Sequence, residues 1–394
     1  MKKIGIIGAG GYASVYVNSL LPRHRKQEIC LCGVVVRPHD REQRQVQSSI
    51  ATLTAAGIPI FPDKESLYAE AKPDIVALPI AIGAHCPLAI NAVEQGINVI
   101  VEKPAAGSVA EVDRMMEAEQ RTGKFIAVGF QHIYAPDIRD LKQRLVVGEF
   151  GSVKRIAVMG LWPRGDEYYH RNEWVCRLRG SHGEPVYDSP INNAFAHYLN
   201  LELFLSSNTF ETSSHASEMQ AELYRARKNI ETFDTCAVRL KTETDAEILT
   251  LLSHASKDTV NPILRIETEK GVIEWSESVS WKFTPTDSGQ CIVGGPASDG
   301  RKNMFSLLIQ KAEGQKVFTC PLSVAKEHTF CIENLHKFFT VSEISGKEYD
   351  INTGNGIFEI YNIKQDFQKC FERFQLPSEY GVRWAIPSKA VKLS

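Results

Sequence analysis

The stretch GIIGAGGYASVY, residues 5–16, places Gly8, Ala9, Gly10, Gly11, Tyr12 and Ala13 between an apolar run and a helix-like segment. Its spacing is that of the dinucleotide fingerprint G-x-G-x-x-G/A. In that arrangement Gly8 makes the tight turn, Gly10 lets the backbone approach a pyrophosphate, and Ala13 is small enough for close helix–strand packing. The N–H groups and positive potential of the following helix suit phosphates. The motif alone is weak; its position at the head of a repeating pattern strengthens it.

That pattern continues to about residue 130. Strand candidates are residues 3–8, 30–36, 74–80, 98–103 and 125–130, mostly continuous Val/Ile/Leu runs that suit a parallel sheet buried on both faces. Helix-like segments lie between them, two ending at Gly96 and Gly123. The β–α–β rhythm predicts a doubly wound sheet with right-handed crossovers. After a helix candidate in PDIRDLKQRLVVGEFG, longer and partly alternating strand runs begin at VKRIAVMGLW, predicting a largely antiparallel second sheet. Two late helices are expected, in KEHTFCIENLHKFF and NGIFEIYNIKQDFQKCFERF. In the second, Ile357, Ile360, Tyr361, Phe367 and Phe371 form a core stripe. The expected domains are residues 1–131 and 132–394.

The chain has 394 residues, 43% hydrophobic and 23% charged, with net charge −2. Nucleic-acid and membrane-surface partners receive no support from this composition. No apolar stretch is long enough to span a bilayer. The nine cysteines are scattered, without a C-x-x-C pair, and read as reduced thiols of a cytoplasmic protein. The histidines lack ligand-like grouping, so no metal site is expected.

Three further features carry chemistry. The second strand run ends GVVVRPHD, with Val36 where NAD-binding folds usually place an acid, and Arg37 next. A guanidinium there suits the 2′-phosphate of NADP; a solvated arginine is the alternative, and Asp40 remains available for ribose hydroxyls. The reading is NAD or NADP, leaning to NADP. In VIVEKPAAG, Glu102 and Lys103 reach the C-terminal sheet edge, where open α/β sheets bind ligands. Lys103 there either stabilises negative charge on a substrate oxygen or is a surface lysine before a turn. Finally, DSPINNAFAHYLN (188–200) reads as a helix start, with Ser189 as N-cap and Pro190 in the first turn. Asn193 and His197, four apart, would share a face, as a catalytic pair or as a polar patch.

Taken together, these segments resemble the Gfo/Idh/MocA oxidoreductases. The resemblance rests on GIIGAGGYASVY, on VEKPAAGSVAEVDRMMEAEQRTGKFIAVGF, on APDIRDLKQRLVVGEFGSVKRI and on the His197 segment; it extends over most of the chain and weakens beyond about residue 280. It implies an N-terminal Rossmann domain, a C-terminal α+β domain with a large open, mainly antiparallel sheet, and a homo-oligomer, dimer or tetramer. It implies that Lys103 is catalytic or orients substrate and that His197 is the base for the hydroxyl being oxidised. Asn193 stands where the family has Asp; an amide can orient a hydroxyl but cannot take its proton. The loop PIAIGAH (79–85), with Ile80 and His85, is expected to border the dinucleotide, contacting it through its backbone.

The segment 161–180 gathers Trp162, Arg164, Tyr168, Tyr169, His170, Arg171, Asn172 and Trp174 within thirteen residues. Aromatic faces and fork-like donors suit sugar recognition; the two arginines suit a carboxylate or phosphate; an oligomer interface has the same composition. The expected function is NAD(P)-dependent hydride transfer to or from a hydroxyl carbon of a sugar, cyclitol or related polyol. The alternatives are a redox-neutral glycoside-cleaving enzyme that retains its dinucleotide, and a non-catalytic nucleotide- and sugar-sensing regulator.

Overall fold

The apolar runs of the first third form strands β1 (Lys3–Ile7), β2 (Cys30–Val35), β3 (Ile60–Phe61), β4 (Ile75–Leu78), β5 (Asn98–Val101) and β6 (Ile126–Val128). The computed structural model describes residues 1–287 and 289–393. The six strands are parallel, in the order β3-β2-β1-β4-β5-β6. This is the doubly wound sheet expected from the sequence. Ile6, Val34, Val76, Ala77, Val99 and Val101 are all fully buried; each Ile or Val side chain so removed from water contributes about 1.5–3 kcal/mol. Gly33 interrupts β2 for a steric reason: a Cβ there would meet the Phe61 ring at 2.3 Å.

The connecting helices are α1 (Ala13–Arg25), α2 (Arg44–Ala55), the short α3 (Lys64–Ser66), α4 (His85–Glu94) and α5 (Val109–Thr122). In α5 the Ser108 hydroxyl accepts from Glu111 N at 3.3 Å, and Gly123 ends the helix at φ 66°. Both are ordinary terminal signals. α2 and β3 were not foreseen: α2 opens at Gln43 without a side-chain cap, and β3 has only two residues.

The chain divides into two units, residues 1–130 with 301–322, and residues 131–300 with 323–394. The second contains α6 (Pro136–Val146), β7 (Val153–Leu161), α7 (Asp166–Tyr169), α8 (Ala196–Ser206) and strands β8 (Ala216–Arg225), β9 (Thr235–Thr242), β10 (Glu247–Ser253), β11 (Val260–Thr268), β12 (Gly271–Ser276), β13 (Ser280–Pro285) and β14 (Ile292–Val293). α9 (Gly300–Ala312) lies almost wholly in the first unit, where Phe305 meets Tyr16 edge-on at 5.4 Å. α10 (Leu322–Phe338), β15 (Val341–Glu343), β16 (Tyr349–Asn352), β17 (Ile357–Ile360), α11 (Ile363–Arg373), α12 (Pro377–Tyr380) and β18 (Val391–Lys392) complete the chain.

The large sheet runs β14-β13-β12-β11-β7-β10-β9-β8-β15, with β18 beside β8. It is mainly antiparallel; β7–β10 and β8–β15 are parallel pairs. One face buries Met159, Leu161, Tyr224, Leu249 and Leu251 against Phe367, Cys370, Leu376 and Trp384. α8 packs against β7 and β10 and is buried along its whole length.

Two local expectations are corrected. The late helix does not begin near residue 355. Ile357 and Ile360 belong to β17, which pairs with β16, because the Asn355–Gly356 turn, with Gly356 at φ 69°, is a hairpin signal. Tyr361 is exposed, and within the expected stripe only Ile360 and Phe367 are buried. The helix carrying His197 likewise starts at Ala196, not after Ser189. Residues 189–195 form successive turns in which Ser189 O accepts from Asn192 N and Asn193 N. The Ser189 hydroxyl is shielded from solvent and has no hydrogen-bond partner among the described residues, so it caps nothing.

Among the described residues no helix is long and apolar enough to cross a membrane, and none of them form a metal-ligating cluster. The nine cysteines are unpaired as disulfides; Cys32 is buried and Cys30 half-buried.

Candidate functional site

In the first unit the glycine turn follows β1 as expected. Gly8 has φ 108°, and its N–H donates to Val35 O at 3.1 Å. A Cβ at Gly8 would meet Ile80 Cγ2 at 3.0 Å, and one at Gly10 would meet Val46 Cγ2 at 3.1 Å. A side chain at Gly8 or Gly10 would thus crowd its neighbours, and the glycines leave bare backbone at the start of α1, the kind of place that suits a pyrophosphate. Ala13, the first residue of α1, is fully buried and Ala9 is buried, while Tyr12 is exposed. These residues fit a dinucleotide.

Arg37 and Asp40 are not independent. The Arg37 Nε–H donates to Asp40 Oδ2 at 2.6 Å, and Gln43 Nε2 donates to Asp40 Oδ1 at 3.0 Å. The guanidinium proposed for a 2′-phosphate already has an acid beside it.

Glu102 is buried. Its Oε1 accepts from Tyr16 Oη at 2.7 Å and its Oε2 from Lys103 N at 3.0 Å. Burial pushes its carboxyl above the ordinary range, opposed by the neighbouring Lys103 charge. Glu102 therefore ties the turn to α1 and fixes the Lys103 backbone. His85 is fully buried, with Nδ1 3.0 Å from Pro104 O and Nε2 3.1 Å from Ile80 O. It joins the PIAIGAH loop to the Lys103 loop as a strut between backbones. A neutral ring donates to only one carbonyl at a time, and burial holds this ring neutral, lowering its pKa to about 4.

That depression has a consequence for stability. The unfolded ring titrates near 6.5, so its contribution is present above that pH and is lost as pH falls from about 6.5 towards 4. Relative to a His85→Gln protein, the wild type is expected to lose up to about 3 kcal/mol across that window. Urea melts at pH 7.5 and 4.5 measure the difference; a pH-independent gap between the two proteins contradicts the assignment.

In the second unit, α8 presents His197 from a fully packed helix. Glu202, on the same helix, accepts from Thr250 Oγ1 at 2.5 Å, and burial pushes its carboxyl well above the ordinary range. The His197 ring lies 5.1 Å from that of His132. His132 Nε2 is 2.6 Å from Glu277 Oε1, which also accepts from Tyr198 Oη at 2.9 Å. A cavity of about 300 Å³ opens here, lined by His132, Asp137, Trp275, Glu277, Ser298 and Asp299. His132, Tyr198 and Glu277 escaped the sequence reading. His132 and Glu277 are 145 residues apart, and neither sits in a motif. A larger cavity of about 510 Å³ is lined by Tyr68, Lys72, Pro73 and Gln95. It lies where β4 and β5 begin, the wrong end of a parallel sheet for ligand, and holds no candidate residue.

Asn193 donates through Nδ2 to Asp188 Oδ1 at 2.7 Å, and Asp188 Oδ2 accepts from Cys176 N at 2.6 Å. The acid missing at position 193 thus stands beside it, five residues upstream. Asn193→Asp would set two carboxylates at hydrogen-bond distance, able to coexist only by sharing a proton. The substitution is expected to cost about 1–3 kcal/mol at pH 8 and less at pH 5; equal stability at both values would exclude this account.

The aromatic loop joins the same neighbourhood. Trp162 stacks on Phe195 at 4.3 Å and meets Tyr198 edge-on at 6.1 Å; its Nε1 donates to Asn261 Oδ1 at 3.0 Å. The Arg164 and Arg171 guanidiniums lie over Tyr168, their Cζ atoms 5.0 and 4.0 Å from its centroid. Tyr169 lies under the Arg227 guanidinium at 4.2 Å, and Asn172 Oδ1 accepts from Trp174 N at 3.3 Å. Trp174 packs on Val175, Cys176 and Ile230.

Residues 2–130 match the Gfo/Idh/MocA family model, described as "Oxidoreductase family, NAD-binding Rossmann fold". The chain is similar to D-glucoside 3-dehydrogenase of Escherichia coli, 24% identical over 152 residues, 38% of this chain and 41% of that protein. It is also similar to glucose-6-phosphate 3-dehydrogenase of Bacillus subtilis, 30% identical over 158 residues, 40% and 42% of the two chains. These matches span less than half the length of either relative, so similarity of sequence covers less of the chain than expected. The fold carries further. The WlbA dehydrogenase from Bordetella pertussis, solved with NADH and UDP-GlcNAcA, aligns with TM-score 0.68 at 19% identity over 85% of this chain and 95% of that one.

Proposed function

We propose that the protein is a nicotinamide-dinucleotide oxidoreductase acting on a hydroxyl-bearing carbon of a sugar, cyclitol or related polyol. The observation that carries this is the bare glycine turn between β1 and α1, in a segment of an NAD-binding family whose named relatives are sugar dehydrogenases. When bound, the nicotinamide supplies the carbon that exchanges hydride with substrate. Lys103 stabilises negative charge on the reacting oxygen. His197 takes the hydroxyl proton as general base. Asn193, with its NH₂ engaged by Asp188, offers its carbonyl oxygen to a neighbouring hydroxyl. Trp162 and Trp174 suit the apolar faces of a sugar ring.

The Arg37–Asp40 pair shifts the choice of dinucleotide from NADP towards NAD. A 2′-phosphate would have to displace or face the Asp40 carboxylate, whereas ribose hydroxyls can donate to it. Thermal-shift titration with NAD⁺, NADH, NADP⁺ and NADPH tests both statements, because ligand-linked stabilisation scales with concentration over Kd. NAD(H) is expected to stabilise at the lower concentration. Stabilisation by none of the four removes the oxidoreductase reading; tighter NADP(H) removes only the preference. Turnover of a polyol panel without net change in nicotinamide absorbance would instead identify redox-neutral chemistry. The homo-oligomer implied by the family resemblance is tested by light scattering on the purified chain.

A further inference from the structure

We propose that the substrate carries an anionic group, a carboxylate or phosphate on the sugar, and that Arg164 and Arg171 bind it while His254 accepts a hydrogen bond from an adjacent hydroxyl. This rests on the oxidoreductase reading and narrows its substrate class.

The charges around the loop are unevenly matched. Arg177 pairs with Glu231 at 2.6 Å and Arg227 with Asp166 at 2.7 Å. Arg164 and Arg171, on the same stretch of chain, have no carboxylate within ion-pair distance among the described residues. Both instead flank one ring, Tyr168; Arg164 also lies 5.9 Å from the Trp162 centroid and Arg171 5.6 Å from that of Trp174. The Arg164 Nε is shielded from solvent and has no hydrogen-bond partner among the described residues. Arg164 is half-buried and Arg171 exposed; the shielded Arg164 N–H without an acceptor is costly, and two cations beside one ring add mutual repulsion. Asp188 is the nearby acid felt by Tyr168, and its carboxylate is already engaged by Asn193 and Cys176. A bidentate anion offsets both costs.

His254 supplies the second observation. It is 1% exposed, stacked on Phe195 at 5.3 Å, and its Nδ1 lies 2.8 Å from Trp162 O. That contact requires Nδ1–H to donate, so in the neutral ring Nε2 is an acceptor. Nε2 is shielded and has no partner among the described residues. Burial first, then the Arg164 and Arg171 charges, hold the ring neutral, with a pKa lowered to about 3. An acceptor kept neutral beside two cationic donors fits a ligand that offers both a hydroxyl and an anion, as an acidic sugar does and a neutral polyol does not. Phe195 and Trp162 link this cluster to the start of α8, the helix of His197.

The test uses the full chain with saturating NADH at fixed ionic strength. Thermal stabilisation is titrated with D-glucuronate, D-glucose 6-phosphate and D-glucose for the wild type, Arg164→Gln, Arg171→Gln and Arg171→Lys. At least one acidic sugar is expected to act at a tenfold lower concentration than glucose, and which one identifies carboxylate or phosphate. Each glutamine variant is expected to erase that preference; Arg171→Lys keeps part of it, since a point charge remains without the fork. NADH stabilisation stays unchanged in all four proteins. Equal response to glucose, no response to either acid, or preference retained in both glutamine variants overturns the proposal. A change of oligomeric state in the variants without change of preference does so too, assigning the arginines to an interface. Loss of NADH stabilisation in the wild type sinks the oxidoreductase reading instead, and is read separately.

Discussion

A Lys103→Met protein is expected to lose about 10²–10³-fold in kcat, roughly 3–4 kcal/mol of transition-state stabilisation, while still binding dinucleotide. Methionine keeps the length and apolar stem of lysine and removes only the ammonium. The backbone that carries residue 103 is held independently of that charge: its N–H donates to Glu102, Glu102 is bound by Tyr16 on α1, and His85 braces Pro104. The turn should therefore survive the substitution, and a lost rate reports the missing charge. Because Lys103 opposes the burial-driven rise of the Glu102 pKa, Glu102 shifts further towards its neutral form in the variant. Steady-state kinetics on the best substrate from the polyol and sugar-acid panel, with NADH affinity measured in parallel, provide the check. A variant retaining more than a tenth of the wild-type kcat would leave Lys103 a mere surface lysine.

His197→Asn is expected to reduce kcat by about 10²–10⁴, the span of general-base contributions, and to abolish the acid limb of the pH profile of kcat/KM. The sign follows from the role: a base must be unprotonated to accept the hydroxyl proton, so activity falls with pH only while His197 is present. Asparagine fits the packed face of α8 without burying a new charge. A structural role for His197 would lower stability and leave the shape of the pH profile intact. The profile therefore separates the two readings, and an acid limb persisting in the variant moves the base elsewhere, with His132 and its Glu277 partner next to examine.

Much of the framework was legible because its signals are local. Continuous apolar runs divided by Gly8, Gly96 and Gly123 spell a parallel sheet whatever lies beyond them, and all but the two-residue β3 were located. The antiparallel runs from residue 153 onward were equally plain. Errors fell where local signals compete. Ile357 and Ile360 suit a helical stripe and a hairpin strand alike, and the turn residues decide for the strand. Ser189–Pro190 looks like a cap, yet the chain spends residues 189–195 on turns before α8 begins.

The glycine turn and the alternation of strands and helices are enough by themselves to predict a doubly wound sheet with a dinucleotide fingerprint, while Lys103, Asn193 and His197 were singled out by position, spacing and the family resemblance. Burial of apolar residues follows a period that short stretches of sequence carry. Polar chemistry does not, since the worth of a charged or hydrogen-bonding group depends on which distant partner reaches it. Only the folded chain brought Asp188 onto Asn193, Glu277 onto His132 across 145 residues, and Asp40 onto Arg37. Only the fold placed Arg164 and Arg171 over Tyr168 with no acid in ion-pair distance among the described residues.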